Sequence, residues 1–157
     1  MIILGIDPGT ATTGFGIIRT GKNLKCLGYG LIQTEPSLSP GARLKKINNE
    51  VNKLIKKYRP KIIAVENLFF FKNLKTALPV SQAKGVILLA AAKKNIPVYE
   101  FTPLQAKMTV VGYGKAEKKQ VQEMIKILLN LKKIPRPDDA ADALAVAICC
   151  ARNPRGS

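Results

Sequence analysis

The sequence predicts an α/β domain built on a mixed five-stranded sheet with helices on both faces. Three observations predict it. Strand-like runs follow one another at the start with only turn-formers between them, helical and strand-like segments then alternate, and the final helix is apolar all round.

Taken in order, residues 1–7, 14–19 and 24–34 read as strands separated by Pro8-Gly9 and Gly21-Lys22-Asn23. Turns this short make the three strands antiparallel neighbours. Over 41–58, Leu44, Ile47, Val51, Leu54, Ile55 and Tyr58 recur at helical spacing with lysines between them, and Pro60 ends that helix. A compact apolar strand follows at 62–66, a helix at 77–94 and a short strand at 97–101. Over 104–111 a helix would put Lys107 on one face with Leu104, Met108 and Val111. The next helix would group Lys118 with Val121, Ile125 and Leu128, leaving Lys119, Gln122 and Lys126 opposite. The last helix, from about Asp138 to Arg152, carries no charge between Asp142 and Arg152, so it is buried.

With 157 residues and 46% hydrophobic content, the chain suits one domain over 1–153, and 154–157 is set aside as a tail that a cloning remnant would also explain. Its 26 basic residues against 10 acidic ones leave a net charge of +16, which favours a polyanionic partner, nucleic acid before membrane. No basic leader, lipidation signal or run of eighteen apolar residues is present, so a cytoplasmic protein with no membrane partner is expected. Cys26, Cys149 and Cys150 lack metal-ligand spacing and are expected to pack in the core. The absence of histidine excludes Ser-His-Asp and Cys-His mechanisms within one chain.

Against this background four acids are out of place. Asp7 and Glu66 end apolar strands, and Asp139 and Asp142 open the buried helix, three residues apart and so on one face. Singly each has an ordinary explanation: Asp7 as a turn opener, Glu66 as a strand end in solvent, Asp138 or Asp139 as a helix cap after Pro137. Capping does not explain Asp142. If the fourth strand returns parallel beside the first, Asp7 and Glu66 both lie at carboxyl ends of neighbouring strands, where open α/β sheets place their sites. Four such charges repel and raise one another's pKa values unless cations intervene. Two Mg²⁺ ions, with Mn²⁺ able to substitute, suit an all-oxygen set, and a pair roughly 3.5 to 4 Å apart is the usual device for in-line attack of water on a phosphodiester. A basic protein with such a site should be a nuclease.

Other residues fit that chemistry. Lys107 and Lys118 interrupt apolar stripes, either as snorkelling side chains or as ammonium groups that approach the scissile phosphate. Lys115, Lys119 and Lys126 read as a solvated face that doubles as a phosphate track. After Glu66 comes Asn67-Leu68-Phe69-Phe70-Phe71-Lys72, aromatics and a lysine placed to stack on unpaired bases and hold the backbone, or to pack as a loop on its own core.

Together these residues resemble the RuvC family of Holliday junction resolvases over nearly the whole chain. The resemblance rests on Gly5-Ile6-Asp7-Pro8-Gly9-Thr10 with Thr13-Gly14-Phe15-Gly16, on Val65-Glu66 with Phe69, and on Gln82-Ala83-Lys84-Gly85-Val86. It continues through the unbroken run from Lys107 to Lys118, which includes Gly112-Tyr113-Gly114-Lys115-Ala116-Glu117-Lys118, and ends with Asp139-Ala140-Ala141-Asp142-Ala143-Leu144-Ala145. It implies an RNase H-like fold in which Asp7, Glu66, Asp139 and Asp142 are the catalytic, metal-binding acids. It also implies that Phe69 stacks on a base at the crossover and that Lys107 and Lys118 serve in the cleavage cleft. The match selects Asp139 over Asp138, which is left as the cap; some relatives carry histidine at the third acid position, and here it is aspartate.

The resemblance further implies a four-way DNA junction as substrate, paired symmetric nicks, a homodimer, and the RuvA and RuvB branch-migration proteins as partners. A domain of this length has a radius of gyration near ~15 Å, too small to carry two distant sites, so two nicks need two subunits. The helix at 77–94, with Gly85 and Ala90-Ala91-Ala92, is the expected interface. Competing readings are a YqgF-type nuclease acting on RNA, an actin-like ATPase sharing the Gly5 to Thr10 loop, and a junction-binding protein with a decayed site.

Overall fold

Alternation along the strands sorts side chains onto the two faces of one sheet. The computed structural model describes residues 1–67 and 74–154. Its strands are β1 (Ile2–Asp7), β2 (Thr12–Arg19), β3 (Lys25–Gln33), β4 (Ile62–Glu66) and β5 (Val98–Phe101), in the order β3-β2-β1-β4-β5. The first three are antiparallel neighbours, as their short turns require, while β4 lies parallel beside β1 and β5 parallel beside β4. The mixed five-stranded sheet is therefore formed as expected, with the crossover returning β4 to the first strand.

Helices cover both faces. On one, Leu4, Ile6, Ile63 and Val65 meet α1 (Pro40–Tyr58) and α2 (Leu74–Lys93) through Ile47, Val51, Ile55, Ala83 and Ile87. On the other, Ile3, Ile62 and Ala64 meet α3 (Pro103–Val111), α4 (Lys118–Leu128) and α5 (Asp138–Arg152). Fully burying each of these aliphatic side chains contributes about 1.5–3 kcal/mol. Cys149 and Cys150 lie in the second core, and Cys26 packs at its edge.

Local chemistry sets the helix ends. Ser39 caps α1 by accepting from the Ala42 amide at 3.2 Å, with Pro40 at the first position. Thr102 and Gln105 form a capping box on α3, which starts the helix before Leu104. α2 begins three residues before the expected start and keeps Pro79 inside; the Pro79 carbonyl accepts from the Thr10 hydroxyl at 2.9 Å. Thr10 in turn offers its own carbonyl to Thr34 at 2.6 Å, and Arg43 donates to the Thr34 hydroxyl at 2.8 Å. The turn after Asp7 is thus tied to both helices of the first face.

The structure corrects the reading of the second face. On α3 the buried residues are Ala106 and Val110, whereas Leu104 and Met108 are 58% and 48% exposed. On α4 Gln122 is buried beside Val121 and Ile125 instead of facing solvent. On α5 the cap position is Pro137 with no side-chain cap bond, so Asp138 is not the cap. Among the described residues no helix is long and apolar enough to cross a membrane.

Candidate active site

Asp7 is the last residue of β1 and, by the alternation that places Ile3 and Gly5 toward α5, it faces that helix. Glu66 ends β4 on the same face, because Ile62 and Ala64 precede it there. The parallel register runs Gly5 with Ala64 and Ile6 with Val65, so the two carboxylates end adjacent strands side by side. Both are only 8% exposed.

The helix reaches them because the sheet beneath it lacks side chains. Gly5 pairs with Gly16, and Asp7 pairs with Gly14. A Cβ on Gly14 would strike the Asp139 carbonyl, and one on Gly5 the Ala143 carbonyl. At Gly16 it would sit 2.6 Å from the Leu144 side chain. The first turn of α5 therefore rests directly on β2 next to Asp7, and the buried run from Ala143 to Cys150 fixes the rest of its length. As a result one carboxylate oxygen from each of Asp7, Asp139 and Asp142 lies within 4.8 Å of the others. Glu66 joins by a side-chain hydrogen bond to Asp7. The turn that follows Asp7 is locked by the Thr13 hydroxyl, which donates to the Gly9 carbonyl at 2.6 Å.

The electrostatics follow from this crowding. Burial, the hydrogen bond to Glu66 and the charges of Glu66, Asp142 and Asp139 push Asp7 well above the ordinary carboxylate range. Asp142 is pushed up to about 6, first by burial and then by Glu66, with Lys118 working against the rise. Carboxyl groups crowded in this way are relieved by keeping a proton. A hard divalent cation serves the same end, and an all-carboxylate donor set at the ends of buried elements fits one.

These acids sit in a cleft of about 580 Å³ whose lining includes Asp7, Glu66, Asp139 and Asp142 together with Lys107 and Lys118. Lys107 reaches it from α3 and Lys118 from the first position of α4. Lys115 and Lys119 are exposed and outside the lining residues. Phe69 and Lys72 lie outside the described residues. The Lys118 ammonium lies 2.9 Å from Asp138, whose other oxygen accepts from Gln122 at 2.9 Å. That pairing raises the Lys118 pKa and lowers that of Asp138.

The model of the family described as Crossover junction endodeoxyribonuclease RuvC matches residues 3–150. The chain belongs to the RuvC family. Relatives named Crossover junction endodeoxyribonuclease RuvC are 57% identical over 153 residues in Desulforamulus reducens, covering 97% of this chain and 94% of that one, and 54% identical over 154 residues in Heliobacterium modesticaldum, covering 98% and 95%. The structure of Thermus thermophilus RuvC in complex with Holliday junction substrate superposes with a TM-score of 0.94 at 35% identity, covering 99% of this chain and 95% of that one. The RuvC match spans every residue of the cleft, from Asp7 to Ala145.

Sequence reasoning missed the partners of Lys118. The sequence reading gives Asp138 to capping and puts Gln122 opposite Val121 and Ile125, yet the two lie together. The available signal was the one-turn spacing of Lys118 and Gln122 on α4, which presents both to the same neighbour. It also missed Lys84 of α2, which bridges Glu100 at 2.8 Å and the Asn67 side chain at 3.2 Å, bracing the residue after Glu66.

Proposed function

We propose that this chain is a structure-selective endodeoxyribonuclease that resolves Holliday junctions during DNA recombination and repair by hydrolysing one phosphodiester in each of two strands. The convergence of Asp7, Asp139 and Asp142 within 4.8 Å, with Glu66 bonded to Asp7, carries the reading. The net charge of +16 and the RuvC names of its relatives point the same way. No observation favours an RNA substrate.

Asp7, Glu66, Asp139 and Asp142 would hold Mg²⁺, two ions per site, with Mn²⁺ as a substitute. When bound, the metal would supply activation of water and neutralisation of phosphate charge. The chain's own residues do the rest. The glycine-backed seat of α5 keeps the acids at fixed separation, which avoids reorganisation as charge develops. Lys107 and Lys118 place ammonium groups in the same cleft, where they stabilise negative charge on the phosphate and on the departing 3′ oxygen. Lys115 and Lys119 contact flanking phosphates, Lys72 does the same, and Phe69 stacks on an unpaired base.

Two nicks at one junction require a homodimer, and the exposed face of α2 supports one. Leu78 and Leu89 are 64% and 54% exposed on it, and Gly85 between them meets nothing within 4 Å. Ala90 and Ala91 face the core instead, so of the alanine trio only Ala92 is available to a partner. A single domain over 1–153, cytoplasmic action and hand-over from the RuvA and RuvB branch-migration proteins complete the proposal.

The test is nicking of a synthetic four-way junction. Symmetric cuts that need divalent metal and disappear in Asp7→Asn support the reading; full activity of that variant, or activity in chelator, overturns it. Adding structured RNA as competitor should leave junction cleavage unaffected.

A further inference from the structure

Lys118 faces a choice of anions. Its ammonium feels Asp142 and Asp139 as well as Asp138, yet it lies 2.9 Å from Asp138. An ammonium that settled on Asp139 or Asp142 would occupy the oxygen atoms a divalent cation needs. Asp138 is the first residue of α5, one position from Asp139, but it is not in the cluster formed by Asp7, Asp139 and Asp142. Its carboxylate is held at both oxygens, Oδ2 by Lys118 and Oδ1 by Gln122 at 2.9 Å. Gln122 is only 8% exposed, so the lower grip is a packed side chain one turn along the same helix.

We propose that Asp138 is a positioning residue that parks Lys118 at the rim of the cleft, off the metal-binding acids, until a substrate phosphate takes over as its partner. The idea rests on the proposed metal centre and adds a division of labour among neighbouring carboxylates. Asp139 and Asp142 take divalent cations, while Asp138 takes the lysine. The ion pair is about half exposed at both ends, 58% and 54%, so the exchange of Asp138 for phosphate is cheap. Gln122 keeps Asp138 in place after Lys118 has moved, which preserves the parking position for the next turnover.

A double-mutant cycle on divalent-metal affinity tests this, with Mn²⁺ binding followed by calorimetry on DNA-free protein. Asp138→Ala should weaken Mn²⁺ binding about three- to fivefold, the scale of one exposed ion pair redirected onto the ligands. In a Lys118→Ala background the same substitution should have no effect, because no ammonium remains to compete. Gln122→Leu should give a smaller loss of the same kind, also abolished by Lys118→Ala. If Asp138→Ala weakens Mn²⁺ binding equally with and without Lys118, Asp138 acts by its own charge and the parking role is wrong. Unchanged affinity in Asp138→Ala overturns it too. A wild-type protein that binds no Mn²⁺ overturns the metal centre itself, and the parking role falls with it.

Discussion

The two faces of the sheet are built by opposite means. Toward α1 and α2 the strands present Leu4, Ile6, Ile63 and Val65, and the helices stand off by the thickness of those side chains. Toward α5 the neighbouring strands present Gly5, Gly14 and Gly16, and the helix backbone comes down onto them. The first face is filled with hydrocarbon right down to the strands. The second also carries a large buried cluster but is thin at the glycines, and its thinness there brings Asp139 and Asp142 of the helix to Asp7 of β1, with Glu66 ending the strand alongside. Close packing here serves the geometry of a site as well as a core.

The sharpest way to separate the two roles is Asp7→Asn. Junction cleavage should fall by at least about 10²–10³-fold in single-turnover assays, the scale of losing one transition-state electrostatic contact. The metal-free protein should melt a few degrees higher at neutral pH, because asparagine removes the cost of burying a carboxyl that must take up a proton on folding, at least on the order of 1–2 kcal/mol. An active variant, or one that melts lower, would place the acid among the structural residues.

Gly14→Ala comes next. Its methyl group meets backbone, which has no rotamer to escape into, so urea unfolding should show a loss of about 3 kcal/mol. A substitution tolerated within 0.5 kcal/mol would mean that α5 does not rest on β2.

Metal removal probes the cluster through pH. Asp7 and Asp142 hold their protons more tightly folded than unfolded, so above about pH 4 the unfolded chain releases protons that the folded chain keeps. Stability in chelator should therefore fall as pH rises, by about 2 kcal/mol between pH 4 and 7 for Asp142 alone, with Asp7 adding to the fall in the same direction. Added Mg²⁺ should raise the melting temperature more at pH 8 than at pH 5. A flat profile in chelator would contradict the crowding.

On the opposite face Ile63→Val should cost about 1 kcal/mol with cleavage unchanged, since it trims one methylene from the core beneath α1 and α2. The smallest effect belongs to Glu50→Gln, which breaks a pair with Lys53 that is exposed at the lysine end. Chemical denaturation should register no more than about 0.5 kcal/mol.

What the sequence made legible divides along the same line. Apolar runs bounded by turn-formers placed the strands and helical spacing placed α1, because large aliphatic side chains mark a face that is filled by volume. The four acids were legible through their misplacement at the ends of apolar runs. The thin face was read less well. On α3 the large residues Leu104 and Met108 suggested the buried stripe, whereas the structure buries Ala106 and Val110. Where α3 lies close enough to α5 for Thr109 and Cys149 side chains to come within 3.2 Å, small residues face inward and large ones are turned out. Gln122 goes inward for a different reason: its one-turn spacing from Lys118 puts both on one helical face, and there the Asp138 carboxylate accepts from it.

The glycine seat also carries a lesson for building such sites. Transplanting the four acids onto another α/β sheet would fail wherever alanine or valine stands opposite the helix, because each added carbon lifts the carboxylates out of reach of a shared ion. A designer would have to copy the vacant positions at Gly5, Gly14 and Gly16 before the charged ones, since the blueprint for this constellation is written in atoms that are absent.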